Sequence, residues 1–371
     1  MPSSGAAIAP GRRIARALRW GLALVALAFV AWVVPVRDHC WDARSPSSTR
    51  VSISRDADAG GSCVLHARTG DVRIDAAQCA KLTCEPGIVS TIGHARPGVL
   101  SMLWGLYALG TLAWAGRWRA LLRLTGVDLS LGDTWRVSIE AQAGGILLPG
   151  GIGGDALRIA AVVARLPRGA GEGAALSIAV GSVLLDRAVG LAVIGATAAL
   201  LAFAWGGAQA GPFANALAAL PVAFVLGIVA VRRIPFHRFG WFVEGRMGRI
   251  AKPLLETIRD PGAPRALAAA AALSALVACA QFLTVRGLVF AVGGVPATEK
   301  WVYIGTAMAF VVSALPTLPG GWGTADATYV LFFGLAGLTP GVALAVCLLY
   351  RLFWYGCAVV GAVLYVARAR R

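Results

Sequence analysis

Six uninterrupted apolar stretches of membrane-crossing length run through this 371-residue chain, at 20–36, 98–116, 174–204, 212–231, 266–291 and 341–366. About 20 apolar residues in an α-helix span the hydrocarbon core of a bilayer. The composition fits no single soluble core: 58% of residues are hydrophobic, 14% are charged, and the mean hydropathy is +0.72. Lipid is therefore the expected solvent, and backbone polar groups inside it must be satisfied within helices. The expected fold class is an all-α polytopic membrane protein with about six full spans and two inverted re-entrant helical hairpins.

The formal charge is +16, but the basic residues gather at span ends rather than on one soluble face. That distribution argues against nucleic acid as a partner and follows the positive-inside pattern. Arg12, Arg13, Arg16 and Arg19 precede the first apolar run, which reads as an uncleaved span. Arg117, Arg119 and Arg123 follow the second, and eight basic residues fill the 232–265 connection. These flanks are expected on the cytoplasmic side. With Arg368, Arg370 and Arg371 at the tail, both termini face the cytoplasm and the chain lies in the inner membrane. The interleaving of Phe236, Phe239, Trp241 and Phe242 with Arg238 and Arg246 also suits a segment lying on anionic lipid.

Three regions follow: a basic N-terminus with the first span (1–36), an extracytoplasmic loop (37–97), and the membrane domain (98–371). The loop carries Cys40, Cys63, Cys79 and Cys84. Four cysteines in one external segment are expected to form two disulfides, with all three pairings open. Cys279, Cys347 and Cys357 lie inside apolar spans and are expected only to pack. The histidines lack ligand spacing, so neither a metal nor a cofactor is expected.

Two apolar stretches do not read as spans. Residues 134–164 contain Leu148-Pro149-Gly150-Gly151-Ile152-Gly153-Gly154-Asp155, and residues 301–336 contain Leu318-Pro319-Gly320-Gly321-Trp322-Gly323-Thr324-Ala325-Asp326. Each is too short for two crossings and is broken by glycines at its middle, which suits a hairpin that enters part-way and returns. Each is followed by a span carrying a matching motif, Leu184-Leu185-Asp186-Arg187 or Leu348-Leu349-Tyr350-Arg351. One hairpin is expected to dip from the cytoplasm and the other from outside, an inverted repeat of the kind that places a site near the bilayer midplane.

Arg187 and Arg351 lie deep in apolar runs, where an unpaired guanidinium costs at least about 2.5 kcal/mol. Their expected partners are hairpin carboxylates: Glu140, Asp155 or Asp326. Asp186 neighbours Arg187 but points about 100° away around the helix. The glycine runs at Gly153-Gly154 and Gly323-Thr324 are expected to open short helices whose N–H groups can hold an anion such as a phosphate, with Asp155 competing for the same donors. Arg158, Arg187 and Arg351 supply positive charge to the same candidate headgroup site. A purely structural bridging role for these arginines is the alternative. Enzyme signatures are weak: there is no Gly-x-Ser-x-Gly and no phosphate loop, and Asp56-Ala57-Asp58 is a triplet that arises easily in a charged loop.

Together, the two Leu-Pro-Gly-Gly motifs, the run through Asp155 to Arg158, and the Asp186-Arg187 and Tyr350-Arg351 pairs resemble the lysylphosphatidylglycerol-synthase transmembrane, or flippase-like, family over roughly 98–366. The chain differs from the family's usual pattern at Asp326 (glutamate), Ala325 (often arginine) and Gly144-Gly145 (polar residues). The resemblance implies a membrane domain that moves a lipid or lipid-linked intermediate between leaflets, without the separate soluble domain that carries aminoacyl transfer. The expected partner is a membrane lipid, anionic or phosphate-bearing, with a possible envelope-biosynthesis partner. A membrane-embedded transferase and an accessory scaffold for envelope lipid or glycolipid synthesis are the competing readings.

Overall fold

The computed structural model describes Val25, residues 28–41, 51–55, 63–67 and 70–75, Ala77, and residues 83–147, 152–166, 172–205, 211–234, 246–314 and 321–369. Five helices among these are long and apolar enough to cross a membrane: α2 (Pro97–Arg123), α5 (Glu172–Trp205), α6 (Gly211–Arg233), α8 (Ala263–Ala291) and α11 (Pro340–Ala369). Of the first expected span, 20–36, the described residues are Val25 and 28–36, and 28–33 are helical. The long helices turn large apolar side chains outward, for example Val222, Val225, Leu226 and Val229 on α6 and Val359 and Val363 on α11. That suits lipid and not water.

The purely helical expectation needs one correction. Residues 38–85 contribute five short antiparallel strands: β1 (Asp38–Trp41), β2 (Val51–Arg55), β3 (Cys63–Ala67), β4 (Gly70–Ile74) and β5 (Thr83–Glu85), in the order β4-β3-β2-β1-β5. Charged residues interrupt their alternation, and strands of three to five residues give periodicity little to work on. The register places Cys40 opposite Cys84; the expected disulfides fall on side chains outside those described. Beyond β5, the Gly87 N–H donates to Asp38 Oδ1 at 2.8 Å, and the short helix α1 (Ile88–Gly93) follows. A side chain at Gly341, near the start of α11, would strike the Pro86 carbonyl, so the residue that follows the sheet sits directly against α11.

The two Pro-Gly-Gly stretches each form a pair of short helices, α3 (Leu131–Leu147) with α4 (Ile152–Val163) and α9 (Glu299–Ser313) with α10 (Thr324–Leu335). Residues 148–151 and 315–320, with Pro149, Gly150, Gly151, Pro319 and Gly320, lie outside the described residues. Within each pair the helices touch because glycine lets them. A Cβ on Gly154 would lie 2.5 Å from the Ala141 carbonyl oxygen, and one on Gly305 would lie 2.5 Å from Phe332 Cβ. Gly321 and Gly323 hold φ of +68° and +78° at the start of α10, a region costly for residues with a Cβ.

The pairs exchange partners. The second helix of each pair packs on the long helix that follows it, α4 on α5 and α10 on α11, whereas the first helix packs on the long helix of the other pair, α3 on α11 and α9 on α5. This reciprocal arrangement is the three-dimensional form of the repeat seen in the sequence. Between α7 (Arg246–Arg259) and α5 the approach is also close, with Leu254 against Gly181.

The α3–α11 crossing depends on Gly361, where a Cβ would collide with the Ile139 carbonyl. Gly361→Val is expected to lower unfolding stability in detergent by about 1–3 kcal/mol through overpacking. Gly227→Val, at a helix position with nothing within 4 Å of the new Cβ, is expected to leave it nearly unchanged. Thermal unfolding of the two purified variants checks the contrast.

Candidate functional site

The polar core forms where α2, α4 and α5 meet. Asp186 is 1% exposed and accepts from two arginines: Arg117 Nε at 2.7 Å and Nη2 at 3.1 Å, and Arg158 Nη2 at 3.0 Å. Arg158 lies over the Trp118 ring at 4.0 Å and beside Trp114 at 5.2 Å, contacts that partly replace its lost hydration. Gly190 leaves the space that the Arg117 guanidinium fills, since a Cβ there would sit 2.7 Å from Nη1. Arg117 was expected to be a flanking charge after a span ending at 116. Instead α2 continues to Arg123, because Ala115, Trp118, Leu121 and Leu122 extend its buried face past the arginine.

The second half repeats the combination of aspartate, arginine and tryptophan. Arg351 donates to Asp326 Oδ1 from Nη2 at 2.9 Å and from Nε at 3.2 Å, and to the Gly321 carbonyl at 3.3 Å. Its guanidinium lies 4.3 Å from the Trp322 ring, and Trp322 Nε1 donates to the Tyr355 hydroxyl at 3.0 Å. The Cys347 thiol donates to Asp326 Oδ1 at 2.9 Å, a polar role beyond the packing expected of that residue. The other Asp326 oxygen accepts from the Gly323 N–H at 2.8 Å. The α10 terminus, expected to offer an N–H to an exogenous anion, is thus occupied at Gly323 by the chain's own carboxylate. Thr324 bonds back to the Gly321 carbonyl at 3.3 Å.

Asp155, early in α4, pairs with Arg187 at 2.7 Å, both partly exposed. Both deep arginines therefore meet a carboxylate from the second helix of the pair before them, the pairing the repeat predicts. Glu140 belongs elsewhere. It is buried between Arg136 Nε at 3.9 Å and Arg368 Nη1 at 3.6 Å, because Arg136 precedes it by one helical turn and the end of α11 covers the same face. Gly153 and Gly154 are buried at the α3–α4 contact.

A cavity of about 420 Å³ lies between the two halves. Its wall includes Arg117, Arg187 and Arg351, with Gln142 from α3, Tyr329 from α10 and Tyr350 from α11. Tyr350 is set edge-on to Tyr107, ring centroids 5.5 Å apart. The Gln142 Oε1 and the Tyr329 hydroxyl are buried without a hydrogen-bond partner, as are few polar atoms in a folded protein. Sequence reasoning missed Arg117, Gln142 and Tyr329. The spacing of Trp114, Arg117 and Trp118 within one turn was a signal for the first, and polar residues in an apolar helix were a signal for the others.

The family model described as the lysylphosphatidylglycerol synthase TM region matches residues 87–361, and the chain belongs to that family. No curated protein matches it.

Asp186 is the shared counter-ion of two buried guanidiniums and leaves the cluster one positive charge in excess. Removing one partner of a buried ion pair typically costs about 3–5 kcal/mol. Asp186→Asn is expected to fall in that range, and adding Arg158→Met is expected to restore part of the loss. Chemical denaturation of the single and double variants measures both.

Proposed function

We propose that the protein moves a phosphate-bearing membrane lipid or lipid-linked intermediate between leaflets, with the cavity between the two helix pairs as the headgroup site. The observation that carries this reading is that one cavity takes Arg187 and Gln142 from one half and Arg351 and Tyr329 from the other. Guanidinium groups bind phosphate oxygens in a planar fork, and concave sites with a few convergent polar groups are where ligands bind.

The helix lengths support re-entrant hairpins. At about 1.5 Å per residue, the 12 residues of α4 and of α10 fall well short of a hydrocarbon core about 30 Å thick. In this reading α3–α4 enters from the cytoplasmic side of the inner membrane and α9–α10 from the opposite side, with both termini cytoplasmic. The partner is an anionic lipid, and the headgroup contacts are Arg117, Arg187 and Arg351, with Arg158 behind them.

The scaffold reading keeps one specific observation in its favour: Asp186, Asp155 and Asp326 are all held in ion pairs. The same pairing weighs against a transferase, whose acid or base would need a carboxylate not already committed to a guanidinium. Leaflet exchange of fluorescent phosphatidylglycerol and of a polyprenyl-phosphate sugar in proteoliposomes separates the readings. The native chain is expected to accelerate exchange of at least one, and Arg187→Ala and Asp155→Asn, each checked for folding, are expected to slow it at least tenfold. Absence of exchange for both lipids by the native protein would leave the scaffold reading standing.

A further inference from the structure

We infer that the cavity selects headgroups by net charge, accepting anionic ones and rejecting headgroups that carry an exposed ammonium, such as the lysyl group in the family's description. The inference deepens the proposed function by naming its substrate class, and it rests on that reading only for what happens after binding.

Among the described residues the cavity wall presents three guanidiniums, those of Arg117, Arg187 and Arg351, and no carboxylate.

The carboxylates behind the wall are already committed. Asp186 is bound by both Arg117 and Arg158, Asp326 by Arg351, and Asp155 by Arg187. Glu140, the remaining buried carboxylate among the described residues, lies off the wall between Arg136 and Arg368. Among the described residues, the wall arginines and Arg158 number four and the carboxylates paired with them three. An ammonium entering the cavity would have to displace a guanidinium from its aspartate to find a counter-ion, and it would meet like charge at short range in a medium of low dielectric. A phosphodiester meets the opposite situation, a surplus of cationic donors.

Two unpartnered groups add detail. The side chains of Gln142 and Tyr329 are buried and face the cavity, and Gln142 Oε1 and the Tyr329 hydroxyl have no hydrogen-bond partner. They would satisfy a neutral hydroxylated headgroup, whose oxygens donate and accept, without adding charge. The occupant that fits is one phosphodiester carrying an uncharged polar substituent.

The test measures binding separately from transport. The purified full chain in mixed detergent micelles is incubated with equal amounts of phosphatidylglycerol, lysyl-phosphatidylglycerol and its doubly acetylated lysyl form, and bound lipid is counted by native mass spectrometry. The acetylated form keeps the bulk of the lysyl lipid and loses its ammonium groups. Native protein is expected to hold phosphatidylglycerol and the acetylated lipid at least tenfold over the lysyl lipid. Ala280→Glu, which adds a carboxylate to the wall, is expected to reduce that ratio at least fivefold, with Val277→Glu as the second variant if the first does not fold. Lys252→Glu, on the exposed face of α7, is expected to leave it unchanged.

Equal binding of all three lipids overturns the inference. Exclusion of both lysyl forms overturns it too, because size and not charge then decides. A ratio that follows Lys252→Glu also overturns it, because the selection then belongs to the protein's basic surface. Failure of leaflet exchange with the binding ratio intact sinks the transport reading and leaves charge selection in place.

Discussion

Asp186 between Arg117 and Arg158 is the interaction on which the polar core is built. One carboxylate holds guanidiniums from α2 and α4 against α5, so three helices from different parts of the chain are fixed at a single point. In a low-dielectric interior such a cluster is tolerated only when every charge is met. Here the ring of Trp118 and the space left by Gly190 complete the accommodation. The rest of the site follows from that anchor: with α4 held by Arg158, Asp155 reaches Arg187, and Arg117 turns toward the cavity.

The second half reaches a similar end by different means. Arg351 is satisfied by Asp326, the Gly321 carbonyl and the Trp322 face, and Asp326 also closes the start of its own helix. The two halves thus share an aspartate, arginine and tryptophan grouping but not its wiring. The first half is a bridge across three helices, and the second is a clasp formed by α10, its leading turn and α11.

Much of this could be read from residue types alone. An arginine deep in an apolar run needs a counter-ion, and the hairpin aspartates were the nearest in kind, so the pairs at Asp155–Arg187 and Asp326–Arg351 were legible. Arg117 was not, because it stands beside Arg119 and Arg123 and looks like the basic end of a span; only the buried face that runs on through Leu121 and Leu122 shows that the helix continues. Glu140 was misplaced because sequence distance to Arg136 says nothing about which face of α3 meets α11. The anion position at the α10 terminus was legible as a position, but its occupant was not: whether a carboxylate three residues into a helix turns back to cap it depends on backbone angles that a sequence does not show. The strands of 38–85 were too short and too charged for alternation to reveal them, and their pairing came from register.

The exchange of partners between the helix pairs bears on what counts as a complete unit. Because α3 rests on α11 and α9 rests on α5, the halves are interlocked like clasped hands and not set side by side like two beads. Neither half encloses the cavity alone. The compartment is owned jointly by segments far apart in the chain, so a substitution that loosens one pair alters the seat of the other.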